Sequence, residues 1–282
     1  MRYNFSKRRG IILSPRTVDD ILEGRKSVPI NIGLERAYAR KLDDKVIFTV
    51  SEVEFQLDYN MLDRLKDSDK LLFLGEDGEL YFVEVRSGDH YFKLRYLGEN
   101  VWPTLEIDGI HMHNITGTDP RRDALYKVKL AGVRRGHRVL DVCTGLGYTA
   151  VTSIMRGARV TTIELRKEVL WIAEHNPYSG LLEKAEIYIG DAYEMVGEID
   201  YTFDRVIHDP PVFSHAGLLY SSEFYRRLYR LLRPGGRLFH YTGAPGSRRG
   251  INIQKGVARR LRESGFKIER IIKGYGIVAR RI

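Results

Sequence analysis

From Gly132 onward the chain alternates short apolar runs with amphipathic ones, and this rhythm limits the folds open to it more than any other feature. Strands are expected at 138–143, 159–165, 185–189, 203–208 and 237–242, with helices at about 148–156, 167–176, 221–232 and 252–264. Strands and helices alternating at this spacing make parallel strands joined by right-handed crossovers. The last two strands, 267–272 and 276–280, are separated only by a short turn at Lys273-Gly274-Tyr275. So short a link allows only antiparallel pairing. The expected class is α/β, a Rossmann-like sheet that ends in an antiparallel hairpin.

Residues 45–106 read differently. Short runs of strand-forming residues are punctuated by Glu76-Asp77-Gly78 and Ser87-Gly88-Asp89, the pattern of a small antiparallel β domain. A short helix at 17–23, ending at Gly24, precedes it. The expected organisation is a β-rich domain over 1–110 and a larger domain over 111–282.

Composition excludes several classes. Hydrophobic residues make up 43% and charged residues 29% of the chain, which suits a globular protein. No apolar run approaches a bilayer span and no secretory signal is evident, so the expected setting is the cytoplasm, with no membrane partner. A single cysteine excludes an intramolecular disulfide and argues against a cysteine metal cage, so no metal site is expected. Residues 1–110 hold 17 Lys and Arg against 20 Asp and Glu, and the remainder holds 29 against 17, so the basic excess lies entirely in the second part. Such an excess suits a polyanion such as RNA, or a heat-adapted surface.

The first strand runs into Asp141-Val142-Cys143-Thr144-Gly145-Leu146-Gly147-Tyr148. Glycines after a buried strand let the backbone approach a ligand at the start of the next helix. The segment also fits G-x-G-x-x-A, a dinucleotide pattern that is weak by itself. Three carboxylates separate the alternatives: Asp141 before the glycines, Glu164 closing the second strand, and Asp191 after the third. This constellation resembles the class I methyltransferases that use S-adenosylmethionine (AdoMet). The resemblance implies Asp141 near the methionine part of the cofactor, Glu164 on the ribose hydroxyls and Asp191 on the adenine amino group. It implies further contacts from Thr144, Gly145, Gly147, Tyr148, Leu165 and Ala192. Cys143 stands where the family pattern has its first glycine, and as a small packing residue rather than a nucleophile.

The fourth strand delivers His208-Asp209-Pro210-Pro211-Val212-Phe213. This resembles the Asp/Asn-Pro-Pro-aromatic loop of methyltransferases that act on exocyclic amines. There an acidic side chain and a proline carbonyl accept hydrogen bonds from the amine, and an aromatic ring stacks on the base. The resemblance implies Asp209, Pro210 and Phe213 as catalytic residues. It places Pro211, Arg121 and Arg122 on the substrate side, one arginine being a route to the cofactor carboxylate. Phe213 falls one place later than in the amine-directed pattern, as in some ribosomal RNA methyltransferases. The implied acceptor is an amine or ring nitrogen of tRNA or rRNA, with a small amine or a protein side chain as the other possibilities.

Leu105-Glu106-Ile107-Asp108-Gly109 and Leu219-Tyr220-Ser221-Ser222-Glu223-Phe224-Tyr225 are also similar to segments of spermidine synthases. That likeness implies aminopropyl transfer from decarboxylated AdoMet, with Asp209 as the base. Against it, Val212 stands where that family has a second acid. The helix and basic turn through Arg25 and Lys26 resemble PUA-like RNA-binding domains. A non-catalytic module that binds AdoMet and RNA is the remaining alternative.

Overall fold

The computed structural model describes residues 1–211, 217–243 and 248–282. Its largest sheet is built from β1 (Arg138–Val142), β2 (Arg159–Glu164), β3 (Glu186–Ile189), β4 (Phe203–His208), β5 (Leu232–Tyr241), β6 (Phe266–Ile272) and β7 (Gly276–Arg281). The order is β3-β2-β1-β4-β5-β7-β6, with the short strand Arg2–Tyr3 added beside β3. The pairs among β1 to β5 are parallel, and β7 is antiparallel to both β5 and β6. The expected α/β class with a terminal hairpin is therefore the observed fold.

The helices of this unit are α1 (Pro120–Ala131), α2 (Tyr148–Met155), α3 (Ala192–Glu198), α4 (Ser222–Leu231) and α5 (Arg248–Glu263). Helix α4 shows how the sequence sets them. The Ser221 hydroxyl accepts from the Phe224 amide at 3.1 Å and caps the first turn. Phe224, Tyr225, Leu228 and Leu231 then bury one stripe, while Arg226 and Arg230 stay outside it. That stripe joins Leu140, Val142, Val206 and Leu238 from the strands in one core. Burying each such side chain contributes roughly 1.5–3 kcal/mol, so this core fixes the strand ends that carry the site.

Contacts divide the chain into two units. One comprises Met1–Phe5, Arg122–Lys167 and Leu181–Ile282, and the other Ser6–Arg121 and Glu168–Gly180. The second unit contains three antiparallel sheets, with a core that includes Val18, Ile30, Phe48, Leu62 and Leu72. Its inserted segment, 168–180, is held by side chains. Tyr81 Oη lies 2.9 Å from His175 Nε2, Ser87 Oγ donates to Glu168 at 2.6 Å, and Tyr178 Oη donates to the Ile32 carbonyl at 3.0 Å. Arg25 of the basic turn is engaged by Glu23 at 2.8 Å and Asp20 at 3.5 Å. Among the described residues no helix is long and apolar enough to cross a membrane.

Candidate active site

The turn between β1 and α2 is pinned to β2. The amides of Cys143 and Thr144 both donate to the Ile163 carbonyl, at 3.1 and 3.0 Å. Gly145 (φ 55°) and Gly147 (φ 76°) occupy the left-handed region, where glycine carries no Cβ penalty. A Cβ on Gly147 would strike the Leu182 side chain at 2.5 Å, whereas one on Gly145 would meet no atom of the described residues within 4 Å. The open side of Gly145 thus leaves room for a ligand against the backbone.

Cys143 also has positive φ, 73°, at the place where the family pattern has glycine. For an L-residue this costs about 1–2 kcal/mol. Burial, with Glu164 and Asp209 adding to it, pushes its thiol well above the ordinary value, and the side chain packs on the core. Cys143→Ala is accordingly expected to retain methyl transfer within about threefold, and the native thiol to resist alkylation by iodoacetamide at pH 8. Rapid alkylation accompanied by loss of activity would contradict that.

Asp141 is fully buried. One carboxylate oxygen accepts from Thr149 Oγ1 at 2.6 Å and the other from Thr162 Oγ1 at 2.9 Å. Thr162 also lies 2.6 Å from Thr144 Oγ1. Asp141 therefore ties β1, β2 and α2 together beneath the turn. Burial raises its pKa from 3.8 to about 7, against the two hydroxyl hydrogen bonds. The folded state then binds the extra proton between these values. The stability from this group is complete below pH 4 and is lost as pH rises through 7, by up to ~4 kcal/mol. Urea unfolding should show greater stability at pH 5 than at pH 8, and Asp141→Asn should reduce the difference; an unchanged difference would assign it elsewhere.

Glu164 ends β2 and is 8% exposed. Its Oε2 accepts from the Gly145 amide at 2.9 Å, and its Oε1 accepts from the Leu165 and Arg166 amides at 3.0 and 3.1 Å. Burial raises its pKa, and these amides oppose the rise. Leu165 beside it is 60% exposed. Asp191 caps α3 by accepting from the Tyr193 amide at 2.7 Å. Ala192 and Tyr148 are buried, at 7% and 3%. Asp141, Thr144, Gly145 and Glu164 are thus joined in one network around the turn.

At the end of β4 the Asp209 amide donates to the Val142 carbonyl at 3.3 Å, which sets it beside the glycine turn. Pro210 is buried and Pro211 exposed, and the Pro211 carbonyl accepts from Tyr220 Oη at 3.0 Å. Phe213 lies outside the described residues. His208 is buried and bonds the Leu219 carbonyl through Nε2 at 3.0 Å. Burial lowers its pKa to about 4, so it is neutral and structural. Arg121 and Arg122 are both exposed in the first turn of α1, and the unit boundary falls between them.

The structure adds residues that the sequence reading missed. Lys127 of α1 is buried, and its ammonium lies 2.6 Å from Asp209 Oδ2 and 2.8 Å from Asp123 Oδ2. Tyr275 donates to the other Asp123 oxygen at 2.8 Å, and the Tyr241 ring lies under the ammonium at 4.3 Å. Burial alone would lower the pKa of Lys127, but the two carboxylates outweigh it and raise it. Burial also raises that of Asp209, which Lys127 opposes. Asp209 keeps 23% of its side chain exposed. Asp123 and Lys127 stand at i and i+4 on a helix bracketed by Asp119-Pro120 and Gly132, a start-and-stop signal that could have revealed them.

A methyltransferase domain model matches residues 139–236. The fold, the glycine turn and its carboxylates define an AdoMet-dependent methyltransferase of class I. The chain belongs to the same family as the uncharacterized protein MJ1233 of Methanocaldococcus jannaschii, to which it is 44% identical over 231 residues, covering 80% of this chain and 79% of that protein. It is 32% identical over 164 residues to a provisionally assigned ribosomal RNA large subunit methyltransferase of the same organism, across 53% of this chain and 42% of that one. Spermidine synthase from Thermotoga maritima has a similar fold, with a TM-score of 0.52 at 17% identity over 72% of this chain and 75% of that one.

Proposed function

We propose that this methyltransferase acts on an amine or ring nitrogen of RNA. The observation that carries the reading is Asp209, a part-exposed carboxylate fixed by Lys127 beside the glycine turn, on a strongly basic unit. That unit holds 29 Lys and Arg against 14 Asp and Glu, a net +15, while the other holds 17 against 23, a net −6. A unit so charged attracts an anionic acceptor and repels a polyamine. The similarity to a ribosomal RNA methyltransferase supports the same acceptor class.

AdoMet, when bound, supplies an electrophilic methyl group on a sulfonium. The residues present fit it: the open side of Gly145 admits a ligand, and Glu164 is aimed along that turn. In this reading Glu164 takes the ribose hydroxyls, Asp191 the adenine amino group, and exposed Leu165 packs on the base. Thr144, Gly147, Tyr148 and Ala192 shape the turn and its floor, and Asp141 holds it together. Asp209 and the Pro210 carbonyl accept from the N–H groups of the acceptor and aim its lone pair. Phe213 and Pro211 flank the base, and Arg121 or Arg122 neutralises a carboxylate or phosphate.

Glu164→Gln is expected to weaken AdoMet binding about 10- to 100-fold, as for loss of a charged hydrogen bond. Calorimetry would show it, and unchanged affinity would remove Glu164 from the ribose. The reading as a whole is tested by titration with AdoMet and decarboxylated AdoMet, followed by labelled-methyl transfer to bulk tRNA and rRNA. Label in RNA supports it; preference for the decarboxylated form would overturn it in favour of aminopropyl transfer.

A further inference from the structure

At the end of the sheet opposite the glycine turn, cations stand in a row. Arg205 of β4 is in direct register with Arg237 of β5, Arg237 with Arg280 of β7, and Arg280 with Lys267 of β6. Residues in direct register point to the same face, with strands about 4.8 Å apart. Like charges set opposite one another in this way are destabilising.

The anions nearby do not balance the row. Among the described residues Glu269 alone bridges two of its members, Arg237 at 2.7 Å and Arg280. Arg205 donates to the carbonyls of Gly132 at 3.1 Å and Asp204 at 2.7 Å. Burial and the adjacent Arg237 lower its pKa, and Arg134 adds to that repulsion. At the same end of the sheet, Arg138 of β1 is in register with Arg159 of β2, on the face opposite Arg205, whose register partner on β1 is Val139. Arg138 and Arg159 line an open cleft of about 850 Å³ together with Arg2 and Lys184, against Glu183 and Glu186. Cations therefore occupy six adjacent strands at this end of the sheet, four on one face and two on the other.

We infer that this edge is a second contact surface for RNA, which holds the phosphate backbone at a distance from the acceptor nitrogen. A heat-adapted surface would alternate the two signs in networks, whereas the four in-register cations share a single bridging carboxylate among the described residues, Glu269. A small anion would satisfy one or two members, but a row drawn across the strands fits a linear polyanion. Phosphate contacts of this kind position the nucleic acid without reading its sequence. Asp209, just past the end of β4, lies four residues on from Arg205, about 13 Å along the strand direction. The acceptor must therefore belong to an RNA that extends at least that far beyond the reacting nitrogen, and bulk tRNA is a suitable probe.

The inference rests on the RNA reading, and the experiment keeps the two apart. Two double variants are made in the full chain, Arg134→Ser with Lys267→Ser, and Arg138→Ser with Arg159→Ser. All four residues are exposed, and none touches the site described above. Binding of bulk tRNA is followed by fluorescence anisotropy across a potassium chloride series, with AdoMet affinity and the thermal midpoint as folding controls. Each variant is expected to bind tRNA about tenfold more weakly at 0.1 M salt, with a salt slope smaller by about one to two, and to bind AdoMet as before. If the native protein binds and methylates tRNA and either correctly folded variant binds it equally well with the same slope, the edge is excluded and the RNA reading stands. If the native protein neither binds nor labels RNA, both fall.

Discussion

Asp209→Ala is expected to lower methyl transfer to RNA by about 10²- to 10³-fold while AdoMet affinity stays within about threefold. Transfer from a sulfonium to nitrogen needs little acid–base assistance, so the rate rests on how the acceptor is aimed. Asp209 is the partly open carboxylate beside the glycine turn, and its amide bond to Val142 fixes its position against the cofactor strand. Asp209→Asn keeps the shape and one acceptor oxygen but loses the charge that holds Lys127. It should fall between the alanine variant and the native protein. Labelled-methyl kinetics with separate calorimetry measure both quantities; near-native turnover in the alanine variant would remove this loop from the acceptor site.

The second large effect concerns Lys127. Lys127→Met leaves buried Asp123 and part-exposed Asp209 facing each other without their shared cation, and breaking such a pair costs up to about 3–5 kcal/mol. Denaturant unfolding near neutral pH should show that loss, with partial recovery in Lys127→Arg. The activity should change in a second way. Lys127 now opposes the rise that burial imposes on the Asp209 pKa. Without it that pKa climbs further, so the carboxylate form is lost at a higher pH as the solution is acidified. The acid limb of kcat/KM therefore moves upward. An unshifted limb in a folded Lys127→Met variant would show that Asp209 need not be ionised for turnover.

Most of the catalytic sheet could be read from the chain because strand and helix periodicities there are long and uninterrupted. The glycine turn and Glu164 were legible because few residues tolerate positive φ or close a buried strand with a carboxylate. Cys143 is the informative exception, an L-residue held at φ 73° where glycine was expected. Helix α1 was not anticipated, because its polar face is broken by buried Asp123 and Lys127. Their partners Asp209 and Tyr275 lie 82 and 152 positions away, so no local pattern exposes the pairing. The strands Ser27–Ile30 and Glu35–Leu42 were also missed. Pro29 interrupts the first, and charged residues crowd the second. The role of Asp141 changes in emphasis, since both its oxygens are spent on threonine hydroxyls inside the protein.

The exchange of segments between the two units bears on how the chain is made. Glu168–Gly180 packs with Ser6–Arg121 in one compact unit. During synthesis the amino-terminal part therefore stays unfinished until residue 180 has left the ribosome, although its sheets are all encoded before residue 122. The strand Arg2–Tyr3 is made well before its partner, Ile187–Tyr188. Cutting the gene at either side of Arg121 would strand an apolar surface in both products. The two halves would then be recovered together, by co-expression, or scarcely at all.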